Sequence, residues 1–371
     1  MNQSKQPKAR VLAYYLPQFH PIPENDEWWG KGFTEWTNVG KAKPLFPGHY
    51  QPHVPADLGY YDLRVPETRE AQAEMAREYG VEGFVYWHYW FGNGKRLLER
   101  PFNEVLASGS PDFPFALAWA NESWSGMFHG LKKGKMLIEQ TYPGDDDYIA
   151  HFEAILPALK DKRYITCCGK PIFVVYKPEQ LPDAKHFIDL WQDLAKKAGL
   201  KGIYFIAYRA GYQDADLIAD CRNQRKAEGF DALNVVNNLN LKRNSLPWWL
   251  RIISDLFHKF RHFQLIPDIR PYDISVFRSP FDSDEDYIQT VVPNWDHTPR
   301  TGKDGNLIYN STPAKFREAM EYAVKAVQGK PYDKRIIFIK SWNEWAEGNY
   351  MEPDFKWGHQ YLEALQDVVL K

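Results

Sequence analysis

Two glutamates lie three residues apart in the stretch SWNEWAEG, residues 341–348, which follows the apolar run RIIFIK. Carboxyl pairs of this kind cleave glycosidic bonds, because one group protonates the leaving oxygen while the second assists near the anomeric carbon. Residues three apart face opposite sides of an extended strand but share a face in a helical turn. Glu344 and Glu347 can therefore act together only if the chain turns after Asn343, and Gly348 permits such a turn.

Spacing alone makes this pair a weak signal, since a chain with 48 acidic residues contains such pairs by chance. Two flanking tryptophans, Trp342 and Trp345, strengthen the signal. An apolar wall raises the pKa of a carboxyl group and keeps a general acid protonated. The elements that position the pair must decide between an acid/base site and two surface acids beside aromatic packing.

Eight strand-like apolar runs alternate mostly with helix-like segments. The runs cover residues 10–19, 81–90, 113–124, 170–178, 202–211, 230–236, 287–296 and 334–342. Runs that are apolar on both faces and joined by helical crossovers indicate a parallel sheet covered on both sides. Eight such units predict an α/β fold of the (β/α)8 TIM barrel type, with a doubly wound open sheet as the alternative. The first run is not followed by a glycine-rich phosphate loop, which disfavours a nucleotide-binding open sheet.

The barrel is predicted to occupy residues 1–371 as one domain, with two departures from the regular rhythm. A long loop rich in Trp, Pro and Gly separates the first strand from its helix, and residues 238–286 form an insertion after the sixth strand that could be a lid or a docking segment. Within it, residues 248–263 have the pattern of a basic amphipathic helix. Such a helix usually packs on its own domain, and peripheral contact with an anionic membrane is the alternative.

Composition narrows the function. Lysines and arginines number 46 against 48 acids, and this balance disfavours a broad phosphate-binding surface and hence a nucleic-acid partner. Aromatic residues reach 16%, and their flat apolar faces with polar edges suit stacking against sugar rings. The N-terminus has no signal-peptide core and the three cysteines have no CxxC spacing, which together predict a cytoplasmic protein without a disulfide framework or zinc site.

In a barrel the reactive groups are expected just after the carboxyl ends of the strands. Polar and aromatic side chains there offer a sugar stacking faces and hydrogen-bond partners. The candidate substrate-binding residues are Tyr15, Gln18, Glu35, Trp36, His88, Tyr89, Trp119, Asn121, Glu122, Tyr176, Tyr208, Arg209, Trp295, Asp296, Trp342 and Asn343. For His88 a structural hydrogen bond is the commoner role, and Asp296 could equally pair with Arg300.

An acidic motif offers a rival chemistry. Residues 282–284, Asp-Ser-Asp, match the pattern with which glycosyltransferases hold a metal ion and a nucleotide sugar. Three-letter acidic patterns arise easily by chance, so we predict neither a metal nor a cofactor.

Three segments together resemble a known family. They are AYYLPQFHPIPENDEWWGKGFTEWTNV (13–39), VPNWDHTPR (292–300) and WNEWAEG (342–348), and they look like the WbsX-type polysaccharide-biosynthesis proteins, whose domain is similar to family 99 glycoside hydrolases. The resemblance runs from about Arg10 to about Leu370 and implies a barrel of the endo-α-mannosidase kind. It also implies that Glu344 deprotonates the substrate's own 2-hydroxyl, giving an anhydro-sugar intermediate, while Glu347 is the acid/base.

The sequence thus predicts a carbohydrate-active enzyme with a retaining, endo-α-glycosidase-like site. Its substrate is expected to be an oligosaccharide or polysaccharide, or the lipid-linked precursor. A glycosyltransferase of O-antigen or capsule-type polysaccharide biosynthesis is the first alternative, and a non-catalytic glycan-binding barrel is the second. A cytoplasmic location favours a role in polysaccharide assembly or turnover. The alternative location is the membrane surface, with contact through residues 248–263.

Overall fold

Eight parallel strands close into a barrel, which confirms the predicted fold class. The computed structural model describes residues 6–126, 136–211, 214–236 and 267–371, together with Ile252 and Leu256. The strands are β1 (Arg10–Tyr15), β2 (Gly83–Trp90), β3 (Phe115–Trp119), β4 (Lys170–Val175), β5 (Tyr204–Ala210), β6 (Ala232–Val236), β7 (Tyr287–Val291) and β8 (Ile336–Ile339). Because β1 pairs with both β2 and β8, the sheet has no free edge along these strands.

Helices follow the strands along the chain, as expected for a βα repeat. They are α1 (Pro23–Trp29), α2 (Glu35–Lys41), α3 (Pro66–Glu78), α4 (Arg100–Ser108), α5 (Asp145–Leu159), α6 (Ala184–Lys197), α7 (Ala215–Ala227), α8 (Thr298–Thr301), α9 (Pro313–Val327) and α10 (Gln360–Val369). Side chains at Asp183, Asp214 and Thr312 cap three of them by accepting backbone N–H hydrogen bonds. In the described part of the chain, no helix has both the length and the apolar character that crossing a membrane would need.

Successive strand residues alternate between the barrel interior and the helical layer. Tyr14 faces inward, where its ring stacks on Phe338 at 4.9 Å and its hydroxyl donates to Asn234 Oδ1 at 2.8 Å. Its neighbour Tyr15 faces outward and donates to Gln72 of α3. This alternation decides which strand-end residues can reach a ligand at the top of the barrel.

The long segment between β1 and α3 contains α1 and α2, two short helices that the sequence pattern did not reveal. α2 lies over the end of β8, where Trp36 packs on Trp345 with ring centroids 5.5 Å apart. The first strand and the last strand therefore contribute to one and the same region.

Within the predicted insertion, residues 238–286, the structure describes residues 267–286 together with Ile252 and Leu256. Asp268–Pro271 pairs in parallel with Asn306–Tyr309, so this part of the insertion is tied to the segment after β7. The predicted amphipathic helix over 248–263 lies outside the described residues, except that Ile252 and Leu256 are exposed.

Candidate active site

The motif after β8 folds into a tight hairpin. Asn343–Glu344 pairs antiparallel with Asn349–Tyr350, and a 3₁₀ turn over Trp345–Glu347 joins the two. The chain thus turns after Asn343, and a single guanidinium contacts the carboxyl groups of both Glu344 and Glu347. This is the geometry that the proposed acid/base chemistry requires.

Two close contacts hold this hairpin in place. Gly348 has φ 64°, and a Cβ at that position would lie 2.8 Å from the Asp296 backbone nitrogen, so both the conformation and the space call for glycine. Asn343 accepts from the Leu16 backbone N–H at 2.7 Å and donates to the Leu16 carbonyl at 3.0 Å. These bonds attach the hairpin to the chain leaving β1.

Arg300, from α8, is the guanidinium that joins the acids. Its Nη2 donates to Glu344 at 2.8 Å, its Nη1 to Glu347, and its Nε to Glu35 at 3.2 Å. Burial lowers the pKa of Arg300, but the three carboxylates outweigh burial and hold that pKa above its usual range. The arginine therefore remains charged and binds three acids from distant parts of the chain.

The two glutamates of the pair differ in proton affinity. Burial, followed by the charge on Glu347, raises the pKa of Glu344 to about 7. Burial also disfavours ionisation of Glu347, but Arg300, Lys340 and His297 overcome it and lower the pKa of Glu347 to about 2. Contacts explain the difference: His297 Nε2 lies 3.8 Å from Glu347, and Asn349 Nδ2 donates to it at 3.4 Å. The pair therefore titrates as a unit, and the neighbouring cations favour Glu347 as its ionised member.

Both glutamates open into a pocket at the carboxyl end of the barrel, where a barrel enzyme binds its substrate. Its aromatic lining consists of Trp29, Trp87, Tyr89, Trp124 and Tyr176. Among the sequence candidates, those that line the pocket are Gln18, Tyr89, Glu122 and Tyr176. Glu35 approaches it through Arg300, and burial raises the pKa of Glu122, the third carboxyl group of the lining.

Several strand-end candidates point away from the pocket. His88 Nε2 lies 2.8 Å from His151 Nε2 of α5, and burial lowers the pKa of His88 to about 3, so the structural role considered for it fits its position. Tyr15 contacts α3, as described above. The remaining candidates with outward contacts are Trp119, which packs on Phe187, and Trp342, which packs on Phe84.

Other candidates stand behind the pocket wall and support it. Asn121 accepts from the Lys177 backbone N–H at 2.7 Å and donates to its carbonyl at 2.8 Å, which joins the exits of β3 and β4. Tyr208 is buried inside the barrel, and Arg209 lies 3.5 Å from Glu179. Trp295 donates to Asn306.

Asp296 is a positioning residue. Its carboxylate does not bind Arg300 or face the pocket lining, but accepts from His49 at 2.8 Å and Gln51 at 2.6 Å in the long loop after β1. It also accepts from the Thr298 backbone N–H at 2.9 Å. Asp296 therefore holds the first turn of α8, and α8 carries Arg300.

The Asp-Ser-Asp motif lies at the other end of the barrel. Asp282 precedes β7, and its carboxylate accepts from the Ser279 backbone N–H and the Tyr322 hydroxyl, each at 2.7 Å. Within the described ranges, no three His, Cys, Asp or Glu side chains are grouped so that they could hold a metal ion. The motif is thus separated from the pocket.

Sequence reasoning did not single out Trp87 or Lys340, which also line the pocket. Lys340 stands two residues after the inward-facing Phe338, so the period-2 alternation of β8 is the signal that points to it. The sequence suggested Arg300 as a partner for Asp296 or as a group that binds substrate hydroxyls, but not as the cation of the glutamate pair.

The sequence matches the protein family described as "Glycosyltransferase WbsX" over residues 11–365. It is 35% identical over 369 residues to the "Uncharacterized protein WxcX" of Xanthomonas campestris pv. campestris strain B100, covering 98% of this chain and 50% of that protein. A second strain, ATCC 33913, has a relative with the same identity over 367 residues. The chain thus spans about half the length of the curated relatives it matches.

Two solved structures share the architecture. A "Glycoside hydrolase-like protein" aligns with a TM-score of 0.60 at 15% identity, covering 98% of this chain and 94% of the other. The GH99 endo-alpha-mannosidase from Bacteroides thetaiotaomicron, in complex with BIS-TRIS-propane, aligns with a TM-score of 0.53 at 15% identity, covering 96% and 95%. At this identity the likeness establishes the barrel fold.

Proposed function

We propose that this chain, which belongs to the WbsX glycosyltransferase family, is a carbohydrate-active enzyme that uses Glu344 and Glu347 as an acid/base pair on a glycosidic bond. One observation carries the proposal: two carboxyl groups of unequal proton affinity share Arg300 and open into the same aromatic pocket. A pair divided in this way offers a proton donor and an ionised partner at the same pH.

The arrangement favours retention of configuration at the anomeric carbon. Retaining glycosidases place their carboxyl groups about 5–5.5 Å apart, whereas inverting enzymes need about 6.5–9.5 Å to admit a water molecule. Glu344 and Glu347 bind the two terminal nitrogens of one guanidinium, which keeps them close.

The surrounding charges favour a division of roles opposite to the one that the family resemblance implies. Glu344 carries the proton and would protonate the leaving oxygen. Glu347 is held ionised by Arg300 and Lys340, and would assist at the sugar by accepting a proton from its 2-hydroxyl. A substrate with an activated leaving group tests this assignment, because such a group departs without a proton donor.

The charge of the pocket bears on the donor. Four acids, Glu35, Glu122, Glu344 and Glu347, line or adjoin it against two cations, Arg300 and Lys340. Because Arg300 already binds three carboxylates, the negative charges of a nucleotide diphosphate would be opposed by Lys340 alone, which favours a glycan or glycan-like donor.

A second candidate function is transfer of a sugar to an acceptor hydroxyl, and the family's description as a glycosyltransferase favours it. The same acid/base pair serves both reactions, since an acceptor hydroxyl can replace water in the second half of a retaining reaction. Products from a labelled glycan, analysed with and without added acceptor sugars, distinguish hydrolysis from transfer.

The decisive experiment measures turnover of a polysaccharide panel by Glu344→Gln and Glu347→Gln, with the exposed Glu363→Gln as matched control. Both pair variants are expected to lose turnover and to keep binding glycan, while the control behaves as wild type. On aryl glycosides with an acidic phenol, Glu344→Gln should recover activity and Glu347→Gln should not. Glycan turnover that survives both substitutions contradicts the proposal, and binding without any turnover by wild type favours a glycan-binding barrel.

A further inference from the structure

Two cations line the pocket, and they differ in what binds them. Arg300 donates to three carboxylates through Nε and both terminal nitrogens. Lys340 is 8% exposed, and among the residues that the structure describes no carboxylate oxygen lies within 4.0 Å of its Nζ and no acceptor hydrogen-bonds to it. Within the described ranges, the pocket thus contains one cation bound to three carboxylates and one that no hydrogen-bond acceptor binds.

The ammonium of Lys340 lies between two indole rings. Nζ is 5.5 Å from the ring centroid of Trp87 and 5.7 Å from that of Trp295. Cation–π contacts offset only part of the cost of burying an ammonium, and indoles accept no conventional hydrogen bond. The three N–H donors of Lys340 therefore need a partner on the side that faces the pocket.

The lysine also remains charged in this position. Burial lowers the pKa of Lys340, but Tyr208, Glu347 and Glu344, all acting at longer range, outweigh burial and raise it. A charged donor that protein acceptors leave unbonded, in a pocket built to hold a substrate, indicates that the substrate supplies the missing acceptor.

We propose that Lys340 binds a carboxylate on the sugar beside Glu344 and Glu347, so that the substrate is a glycan containing uronic acid. A carboxylate brings one negative charge and two acceptors to one ammonium. The hydroxyls of a neutral sugar would accept hydrogen bonds from Lys340 but would give the desolvated ammonium no counter-charge, and a phosphate dianion would bring a second charge toward two glutamates. The inference rests on the proposed glycan-processing function of the pocket.

A second effect of Lys340 has to be separated from recognition, because its charge also lowers the pKa of Glu347. Binding measured in a Glu344→Gln background avoids this effect on turnover. Lys340→Met removes the charge and keeps the length of the side chain, Lys340→Arg keeps the charge, and Lys325→Met on the exposed face of α9 is the matched control. Thermal melts confirm that each variant folds.

Isothermal titration provides the test. The probes are oligosaccharides of alginate, polygalacturonate and hyaluronan, the carboxyl-reduced form of each, and sulfated dextran oligosaccharides. At least one uronate series is expected to bind at least tenfold more tightly than its reduced form. Lys340→Met should abolish that difference by weakening only the uronate, Lys340→Arg should keep part of it, and Lys325→Met should keep all of it.

Each contrary outcome has its own meaning. Equal binding of uronates and their reduced forms, or discrimination that persists in Lys340→Met, overturns the role of Lys340 and leaves the glycan-processing function standing. Sulfated dextran that binds more tightly than every uronate overturns the assignment of a carboxylate. Absence of binding by all these oligosaccharides overturns this inference, while the polysaccharide panel with Glu344→Gln and Glu347→Gln decides the proposed function separately.

Discussion

Two buried acidic sites lie eight residues apart in the chain, and they show what separates a reactive carboxyl group from a structural one. Glu344 shares Arg300 with Glu347 and lines the pocket. Glu352 has no cationic partner in the described structure, and it accepts from Tyr61 at 3.0 Å and from Gln72 and Trp345 at 2.6 Å each. One site is held by charge and the other by neutral donors.

Proton affinity does not distinguish these two acids. Burial raises the pKa of Glu352 to about 7, and burial together with Glu347 raises that of Glu344 to about 7. The two carboxyl groups differ in what surrounds them. Glu344 lies beside an ionised glutamate and faces an aromatic pocket, whereas the oxygens of Glu352 accept hydrogen bonds from Trp345 and Tyr61. A raised pKa indicates burial, and function depends on what else the carboxyl group faces.

The largest effect should separate the two sites by activity. Glu344→Gln or Glu347→Gln is expected to lower kcat by about 10²–10⁴-fold on an unactivated glycan, the range in which general acid–base catalysis contributes. Glu352→Gln should change kcat less than tenfold, because Glu352 does not line the pocket and supports the hairpin from behind, through Trp345 and Tyr61. A loss as large in Glu352→Gln as in the pair would remove the distinction.

Arg300→Met should give the next largest effect, on stability. It leaves three carboxylates without their cation, and breaking a buried ion pair costs about 3–5 kcal/mol. The loss should be greatest at pH 8, where the acids are ionised, and smaller at pH 5, where protonation relieves repulsion. Urea unfolding at both pH values measures it, and a loss independent of pH would argue against charge as the cause.

Replacing Glu352 should have a smaller effect on stability, and this effect comes from a buried acid that is stable in its neutral form. Its pKa is raised from 4.5 to about 7 in the folded protein, so the stability it contributes is present below pH 4.5 and lost as pH rises through about 7. Glu352→Gln is expected to remove about 2–3 kcal/mol of this decline in the free energy of unfolding between pH 4.5 and pH 8. Glu363→Gln, on the exposed face of α10, should decline as the wild type does.

The smallest effect concerns the pH dependence of turnover. If Glu344 is the proton donor, kcat should fall as pH rises through about 7, because the donor is then ionised. Glu352→Gln should move the pH at which kcat falls by less than about 0.3 units. Glu352 lies outside the pocket, and a shift of that size corresponds to about 0.4 kcal/mol of interaction with Glu344. Disappearance of the fall in this variant would assign it to Glu352 instead.

The barrel could be predicted from the sequence because its physical cause is local. Runs such as 170–178 and 202–211 are apolar on both faces, and only a sheet covered on both sides buries them. α7 was missed because its apolar residues do not repeat along one face: Ile218 is the one apolar side chain of ADLIADCRNQRKA that is buried. The predicted ends of the first and last strands lie too far along the chain, because apolar residues continue past β1 and β8.

The site was harder to predict because its cause is not local. When both faces of a strand are buried, composition does not reveal which residues face the interior, so Tyr15 and His88 were grouped with Tyr89. The ion pair between Glu35 and Arg300 joins residues 265 positions apart, and no spacing rule reaches that far. The turn after Asn343 could be predicted because it depends on a nearby residue: Gly348 readily adopts the positive φ that ends the turn.

The bonds of Asp296 have a consequence for exchanging parts between related proteins. One carboxylate binds His49 and Gln51 from the loop after β1 and the first turn of α8, while the Asp296 backbone N–H donates to the Glu347 carbonyl at 2.7 Å. A chimera that takes only the first loop from a relative would lose these partners and misplace Arg300. The loop after β1, α8 and the hairpin after β8 should therefore be exchanged together in such a chimera.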